Sequence, residues 1–373
     1  MTIKSVSEIN EYVRTSVNPL ATPDQLFELY SVPSFDSDYP EIVSGAEIGS
    51  AKVTVEEGDV LICKINPRIN RVWVVRHNTD YPLLASSEWI VVRSKNMNPH
   101  YLKWYFSSSS FRTLLTSQVT GIGGSLTRAQ PKQVAKYPVP VPSRAEQDYI
   151  AGVLERIDEL LLKQHQQTEK LDELVKSRFI ELFGDPMTNP KGFPCYTVGE
   201  VIDFQGGSQP DKKYFEYEST PDNIRLIQIR DYKSDKYITY IPRAMAKRFC
   251  TADDIMVGRY GPPIFQILKG IEGSFNVALM KATPKMGNRE FARHFLKQDC
   301  LLEYLEGLSK RTAGQDGIQM DKLKAYPFPY PPIELQEQFA AFVEQVDKSK
   351  LAVQQGLKEL EILKKSLMQQ YFG

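Results

Sequence analysis

The chain has 373 residues, of which 42% are hydrophobic and 25% charged, and its 46 basic side chains balance 46 acidic ones. Such a chain fills two or three globular domains with real cores, which excludes a disordered tail or a single small module. With no apolar run of about 18 residues a membrane span is excluded, and zero net charge excludes a uniformly basic coat.

The opening stretch MTIKSVSEINEYV lacks the basic, apolar and small-residue regions of a signal peptide, so a cytoplasmic location is expected. Cys63, Cys195, Cys250 and Cys300 form no CxxC pair, and His77, His100, His165 and His294 do not fall at zinc-ligand spacing with them. Reduced thiols and no metal site are the expectation.

Residues 1–142 read as a first α+β domain, with short strands, short helices and many turns. Within it, Glu57-Gly58-Asp59-Val60-Leu61 leads to the stretch KINPRINR, residues 64–71. An apolar strand, Glu88–Val92, an amphipathic helix, His100–Phe111, and a Gly/Thr-rich loop, residues 120–130, follow. Then comes YPVPVPSRAEQ from Tyr137. Its alternating prolines forbid helix, so it is an extended segment feeding a helix N-terminus.

Residues 143–184 read as one long helix without an internal proline, ended by Phe183-Gly184. Its apolar seam runs through Ile150, Leu154, Ile157, Leu161, Gln164, Thr168, Leu171, Val175, Arg178 and Leu182. About 40 residues at 1.5 Å each would span roughly 60 Å, and such a helix needs a partner for its stripe.

A second α+β domain, 185–332, has the same order of elements. Ala252-Asp253-Asp254-Ile255-Met256 with Arg259 and Pro262 parallels Glu57–Leu61 with Lys64 and Pro67. The strand Ala278–Ala282, the helix Arg289–Leu301 and the loop at 311–319 take up the corresponding places. The opening YTVGEV…GGSQP of this domain has no clear copy in the first domain.

A second long helix, 333–373, closes the chain. Tyr137–Gly184 aligns without a gap on Tyr326–Gly373 at a constant offset of 189, with matches including Gln147/Gln336, Asp158/Asp347 and Leu171/Leu360. The second seam is Phe339, Val343, Val346, Lys350, Val353, Leu357, Leu360, Lys364, Leu367 and Tyr371. The two helices are each other's expected partner, and the apolar interface falls on Ile150, Leu154, Ile157, Leu161 and Leu171 against Phe339, Val343, Val346, Val353, Leu357 and Leu360. Gln164, Thr168 and Lys350 would set the register if they met.

The α+β segments 1–142 and 185–332 carry net charges of +1 and +3, and the helical segments 143–184 and 333–373 carry −3 and −1. Two related, diverged heads on helices suit a ligand with two related sites. Duplex DNA is one, because half-sites recur every turn, about 34–36 Å.

Base readout favours Arg, Lys, Asn and Gln, and phosphates take basic or hydroxyl groups. The candidates in the first domain are Lys64, Asn66, Arg68, Asn70 and Arg71, with Ser125, Thr127 and Arg128 after the glycines. In the second they are Arg259, Tyr260 and Gln266, then Ser208, Gln209 and Lys212 (with Lys213) after Gly206-Gly207, and Arg311, Gln315 and Gln319 (with Lys310 and Thr312) in the later glycine loop. The plainer reading of each is a solvated loop or a turn. Arg225, Arg230 and Lys233 alternate on a strand-like run and fit a solvent face equally well.

A proline-rich strand, then Gln147 or Gln336 and a long helix, twice over and each preceded by an α+β domain, resembles the specificity (S) subunits of Type I restriction–modification systems. The join Leu182-Phe183-Gly184-Asp185-Pro186 with Asn189-Pro190-Lys191-Gly192, and the opening Tyr196–Val201 with Gly206–Pro210, are similar to that family as well. The resemblance implies two target-recognition domains and an antiparallel helix pair with pseudo-two-fold symmetry. It implies double-stranded DNA and two modification subunits as partners, with restriction subunits in some assemblies. S-adenosylmethionine is then expected on the modification subunits, with no cofactor and no catalytic residue on this chain. Glu155, Asp158, Glu159, Glu169 and Asp172 would be part of a docking face or simply a solubilising one.

Enzyme readings are poorer. Tyr330-Pro331-Pro332-Ile333 has the wrong first and last residues for an adenine-methyltransferase tetrapeptide, Phe204–Gly207 is a poor cofactor loop, and no P-loop is present. Asp231 and Lys233 make a weak nuclease centre. A coiled-coil adaptor whose heads bind something other than DNA is the alternative from another class. It differs by predicting no salt-sensitive DNA affinity.

Overall fold

The computed structural model describes residues 2–117, 119–120, 127–260, 264–309 and 317–373. The chain divides into two compact units, Met1–Gln166 with Gln354–Gly373, and Gln167–Val353. Each unit takes one α+β segment together with part of each long helix.

In the first unit, Thr2–Ser5 pairs antiparallel with the proline-bearing strand Pro138–Val141, Thr2 opposite Val141. Prolines are tolerated there because the pair has two strands only, so one edge needs no N–H donors. The helical turn Val6–Ile9 follows, its start held by the Ser5 amide donating to the Glu8 carboxylate at 2.6 Å. The second unit repeats this: Cys195–Thr197 pairs with Pro327–Pro329, and the Thr197 amide donates to Glu200 at 2.6 Å before the turn Val198–Val201. The first domain therefore does possess the opening segment that its sequence seemed to lack. KSVSEI at 4–9 is its copy, in which Ser5, Val6 and Glu8 answer Thr197, Val198 and Glu200. Conservative replacement and a shifted offset hide it.

Each unit then builds two sheets. In the first, a three-stranded sheet runs Val72–Val74, Val60–Cys63, Trp89–Val92, and a five-stranded one runs Ser16–Val17, Lys52–Thr54, Leu83–Ala85, Leu26–Tyr30, Glu41–Ser44. In the second, the orders are Ile202–Gly206, Leu279–Pro284, Ile255–Gly258, Ile267–Lys269 and Tyr240–Pro242, Asn223–Ile227, Gly273–Phe275, Phe249–Cys250. Leu26–Tyr30 runs parallel to Leu83–Ala85, as Asn223–Ile227 does to Gly273–Phe275, among otherwise antiparallel pairs.

The continuous apolar run Val60–Cys63 is buried on both faces. Its alternate residues part: Val60 and Ile62 join the core with Leu154, Leu61 and Cys63 the core with Trp73 and Trp89. Ile255 and Val257 against Met256 repeat that division.

The amphipathic helix of each domain is broken in two: Pro99–Ser107 and Ser109–Ser117 in the first unit, Arg289–Leu296 and Asp299–Ser309 in the second. The Asn98 and Asn288 side chains cap the first helix of each pair, accepting from the amides of residues two and three further on.

The long helices span Arg144–Phe183 and Ile333–Phe372. Within the first unit Ile150, Ala151 and Leu154 share a core with Phe372, against which Leu367 and Met368 also pack, and Asp158 is paired with Lys364. Within the second, Val175, Phe179 and Phe183 share a core with Phe339, Val343 and Val346, and Asp172 is paired with Lys350. In both, numbers rise on one helix as they fall on the other, which is antiparallel pairing.

Of the interface candidates, Ile150, Leu154, Ile157, Phe339, Val343, Val346 and Val353 are buried, while Leu161, Leu171, Leu357 and Leu360 are half-buried. One expectation about the seam fails. Phe179 and Phe183 are buried where Arg178 and Leu182 were expected, because the helix continues in steps of four and the stripe drifts off a strict heptad. Lys350 has Asp172, and Gln164 lies over Gly356, where an added Cβ would come within 2.8 Å of its Nε2.

Candidate nucleic-acid interface

In the first unit the loop from Lys64 to Arg71 joins two strands of the three-stranded sheet. Asn66 and Asn70 have φ of 48° and 53°, the left-handed region that asparagine tolerates better than branched residues. The chain that emerges from the glycine loop lies alongside. Ile65 bridges Arg128, the Ala129 amide donates to the Lys64 carbonyl at 2.9 Å, and the Asn66 amide to the Thr127 carbonyl at 3.0 Å. Two candidate stretches about 60 residues apart in sequence thus form one surface.

The candidates on it are not equivalent. Arg68 and Ile69 are exposed at the loop tip, and Arg128 is exposed beside Glu88 at 3.3 Å. Arg71 is half-buried, and its Nε is without a hydrogen-bond partner, as are the buried Asn66 Oδ1 and Thr127 Oγ1. Lys64 is half-buried and donates to the Ser87 carbonyl. Burial lowers its ammonium pKa, Glu88 opposes that, and Arg14 and Arg128 add to it.

Asn70 differs from the other loop candidates. Its amide donates to the Phe106 carbonyl at 2.9 Å, tying the loop to the end of helix Pro99–Ser107, so this donor is committed to the fold rather than to a base. Arg14 was missed. It shares a pocket of about 200 Å³ with Tyr12, Lys64 and Trp89, and nothing around it in sequence marks it. Ser125 lies outside the described residues.

The second unit uses the same construction with other side chains. Tyr260 bridges Gly317, as Ile65 bridges Arg128. The loop closes tightly: the Gly258 amide donates to the Gln266 carbonyl at 2.9 Å and the Phe265 amide back to Gly258 at 3.1 Å. Buried Ile264 and Phe265 anchor it in the core. The Arg259 guanidinium lies 5.2 Å from the Tyr260 ring centre, and Tyr260 is 49% exposed.

Beside them runs the Gly-Gly turn. The Gly207 and Ser208 amides donate to Leu279 and Phe275 at 3.0 Å each, and a Cβ on Gly207 would stand 1.9 Å from the Asn276 carbonyl oxygen, so only glycine fits. Arg259 Nη1 is 4.0 Å from where a Cβ on Gly206 would be, which joins this turn to the Arg259 loop. Gln209 accepts from Asn276 at 3.4 Å.

Gln266 is half-buried, and Gln319 sits half-buried at the start of helix Met320–Ala325. Lys212 is exposed in the following turn with Lys213, whose ammonium lies 5.0 Å from the Tyr214 ring. Lys310, Arg311, Thr312 and Gln315 lie outside the described residues.

Arg225, Arg230 and Lys233 do not line one strand. Arg225 is on Asn223–Ile227 and Arg230 in the turn Ile229–Tyr232. Both arginines flank buried Asp231, at 3.7 and 3.9 Å, and Arg225 also holds Asp235 at 3.0 Å. Burial raises the Asp231 pKa, and these cations oppose it. Asp231 is therefore occupied within a packed ion cluster rather than open to a metal, and among the described residues no group of three His, Cys, Asp or Glu side chains could hold one.

Each unit thus carries a loop bridged to a segment far along the chain, Ile65 to Arg128 in one and Tyr260 to Gly317 in the other, with arginine and amide donors beside it. A family model described as the Type I restriction modification DNA specificity domain matches residues 190–362. Along 351 aligned residues, 86% of this chain and 80% of the other, the protein is 22% identical to the Type I restriction enzyme MjaVIII specificity subunit of Methanocaldococcus jannaschii.

Among solved structures, a chain from work on complex assembly and conformational transition of the type I R-M system superposes with a TM-score of 0.62 at 18% identity, covering 100% of this chain and 97% of that one. The Type-I restriction-modification S subunit from M. genitalium gives 0.56 at 14% identity, covering 98% and 94%. These two likenesses concern the fold. Residues 190–362 thus match the specificity-domain model of Type I restriction–modification systems, and the chain as a whole is similar to specificity subunits of such systems. Among the described residues no helix is long and apolar enough to cross a membrane.

Proposed function

We propose that this chain reads a bipartite, asymmetric site on duplex DNA, one half with each unit, and holds two modification subunits, with restriction subunits joining in the nuclease form. The observation that carries the reading is the matched pair of bridges, Ile65 to Arg128 and Tyr260 to Gly317. The loops are bridged in the same way in both units, while the side chains differ: Arg68 and Arg128 in one, Arg259, Tyr260 and Gln209 in the other. Equal scaffolds dock alike on two half-sites, and unequal donors select different bases.

Guanidinium forks suit guanine and phosphate, and amides suit adenine. Each good bidentate contact discriminates by about 1–3 kcal/mol, so a few per unit suffice for a short half-site. Methyl transfer, with S-adenosylmethionine, belongs to the modification subunits, and this chain binds no cofactor. Segments 1–142 and 185–332 serve as target-recognition domains, and the long helices as the element on which the modification subunits assemble.

Genomic DNA from cells with and without the gene, sequenced by a modification-sensitive method, tests this. Loss of methyladenine from one split motif with a fixed spacer is expected. An unchanged map in cells that express the modification subunits would overturn it.

A further inference from the structure

The two units differ most sharply in the charge of their second sheets. In the first unit, residues 15–55, which carry most of the five-stranded sheet, hold one lysine against six carboxylates. In the second, residues 211–248, which carry most of the Asn223–Ile227 sheet, hold nine basic side chains against six acidic ones. That excess of three equals the whole net charge of segment 185–332. The net positive charge of that segment therefore lies in this lobe, away from the Arg259 loop in sequence and in a different sheet.

Four of the six carboxylates are already engaged: Asp231 and Asp235 by Arg225 and Arg230, Asp211 by Lys213 at 3.8 Å, and Glu216 by the Asn223 amide at 2.6 Å. A cleft of about 600 Å³ opens here, lined by Tyr217, Arg230, Lys236, Tyr237 and Tyr240 among others. Tyr217 is 73% and Tyr237 59% exposed, high values for rings that could have been buried. The Lys236 ammonium lies 5.2 Å from the Tyr237 ring centre. Arg230 is held at the wall by the Tyr237 carbonyl and the Thr239 hydroxyl, at 3.3 and 3.1 Å, and keeps half its side chain in solvent.

Cations beside exposed tyrosines, on a lobe with net positive charge, fit a polyanion with apolar sugar faces. We infer that this cleft grips the backbone of duplex DNA outside the half-site read by the second unit, with Lys236 and Arg230 on phosphates and Tyr217 and Tyr237 against deoxyribose. The acidic lobe of the first unit makes no such contact, so the footprint on DNA is lopsided about the split motif. This rests on the DNA-reading function proposed above and adds a sequence-independent contact to it.

The test uses the assembled methyltransferase complex and duplexes carrying the methylated motif, with the flank trimmed on one side or the other. Wild type should lose affinity when one flank is trimmed and not the other. The exposed double variant Tyr217→Ala/Lys236→Ala should bind the long duplex about five- to twentyfold more weakly at 0.15 M salt, with a log–log salt slope shallower by about one. It should be indifferent to either trimming while methylating the same motif. A variant with wild-type affinity and wild-type flank dependence overturns the inference and leaves the proposed function standing. So does a variant that binds DNA normally but no longer recruits a protein subunit, which would make the cleft a docking site for an acidic protein surface. A wild-type complex without motif-specific binding would sink the proposed function itself.

Discussion

Gln147 and Gln336 occupy matching places and do the same work. Each is buried, accepts from the amide of the capping asparagine (Asn98 or Asn288) at 2.8 Å, and donates to a proline carbonyl, Pro142 at 3.0 Å or Pro331 at 2.8 Å. One amide thus locks the long-helix start to the short-helix start in each unit. Alanine at either position leaves a buried N–H and a buried C=O unpaired, which costs about 1–3 kcal/mol each. A denaturant midpoint unmoved by Gln336→Ala would mean that water replaces the clasp. The same accounting separates two loop residues that the sequence placed together. Arg68→Ala should weaken DNA binding and methylation through the first half-site, leaving stability within about 0.5 kcal/mol, as exposed positions do. Asn70→Ala should instead cost about 1–3 kcal/mol, because it loses the bond to Phe106 and leaves at positive φ an alanine, which lacks the polar side chain that lets asparagine tolerate that conformation. Binding titrations and urea melts on both variants would distinguish them.

At the scale of elements, proline and Phe-Gly punctuation made the long helices legible, since few other patterns allow 40 residues without a break. Less could be read where tertiary packing overrides the local pattern. The 3.5-residue seam holds as far as Val175 and then yields to Phe179, whose ring stacks on Phe291 at 5.6 Å, a contact that no periodicity within the helix announces. The parallel strand pairs, the Ser5–Glu8 copy of the opening segment and the Arg14 pocket were hidden for a like reason: each depends on partners many residues away. For the site, residue types were readable and adjacency was not, because the Ile65–Arg128 bridge is set by sheet geometry. One element also carries a pH dependence. His294, on helix Arg289–Leu296, presents its ring to Phe339 at 5.2 Å. Burial, aided by Lys297 and Arg293, lowers its pKa to about 3. The unfolded chain takes up a proton near pH 6.5 and the folded one does not, so stability is full above that value and falls as pH drops toward 3. From the plateau above pH 7 down to pH 5 the loss should be about 2 kcal/mol. His294→Gln should flatten that part of the curve, and identical slopes would show the imidazole charged in the fold.

Across the whole molecule, a duplicated scaffold has kept its joints and changed its faces. The joints are the proline strands, the asparagine caps, the glutamine clasps and the loop bridges, and they recur in both units with hydrogen-bond lengths that differ by 0.2 Å or less at the clasps. The faces differ in the donors of the hairpin loops and in the sign of charge on the second sheets. Such a division predicts modularity, because a face that rests on its own unit's joints can be exchanged with them. Replacing residues 185–331 by the corresponding segment of a Type I specificity subunit should therefore give a folded chain that still assembles with the modification subunits proposed above. Methyladenine should then appear at a hybrid motif, one half unchanged and the other taken from the donor. If the flank-gripping lobe travels with the exchanged segment, the lopsided footprint should change on the same side as the altered half. A motif altered in both halves at once would show that recognition is shared between the units, and one altered in neither would place it outside the exchanged segment.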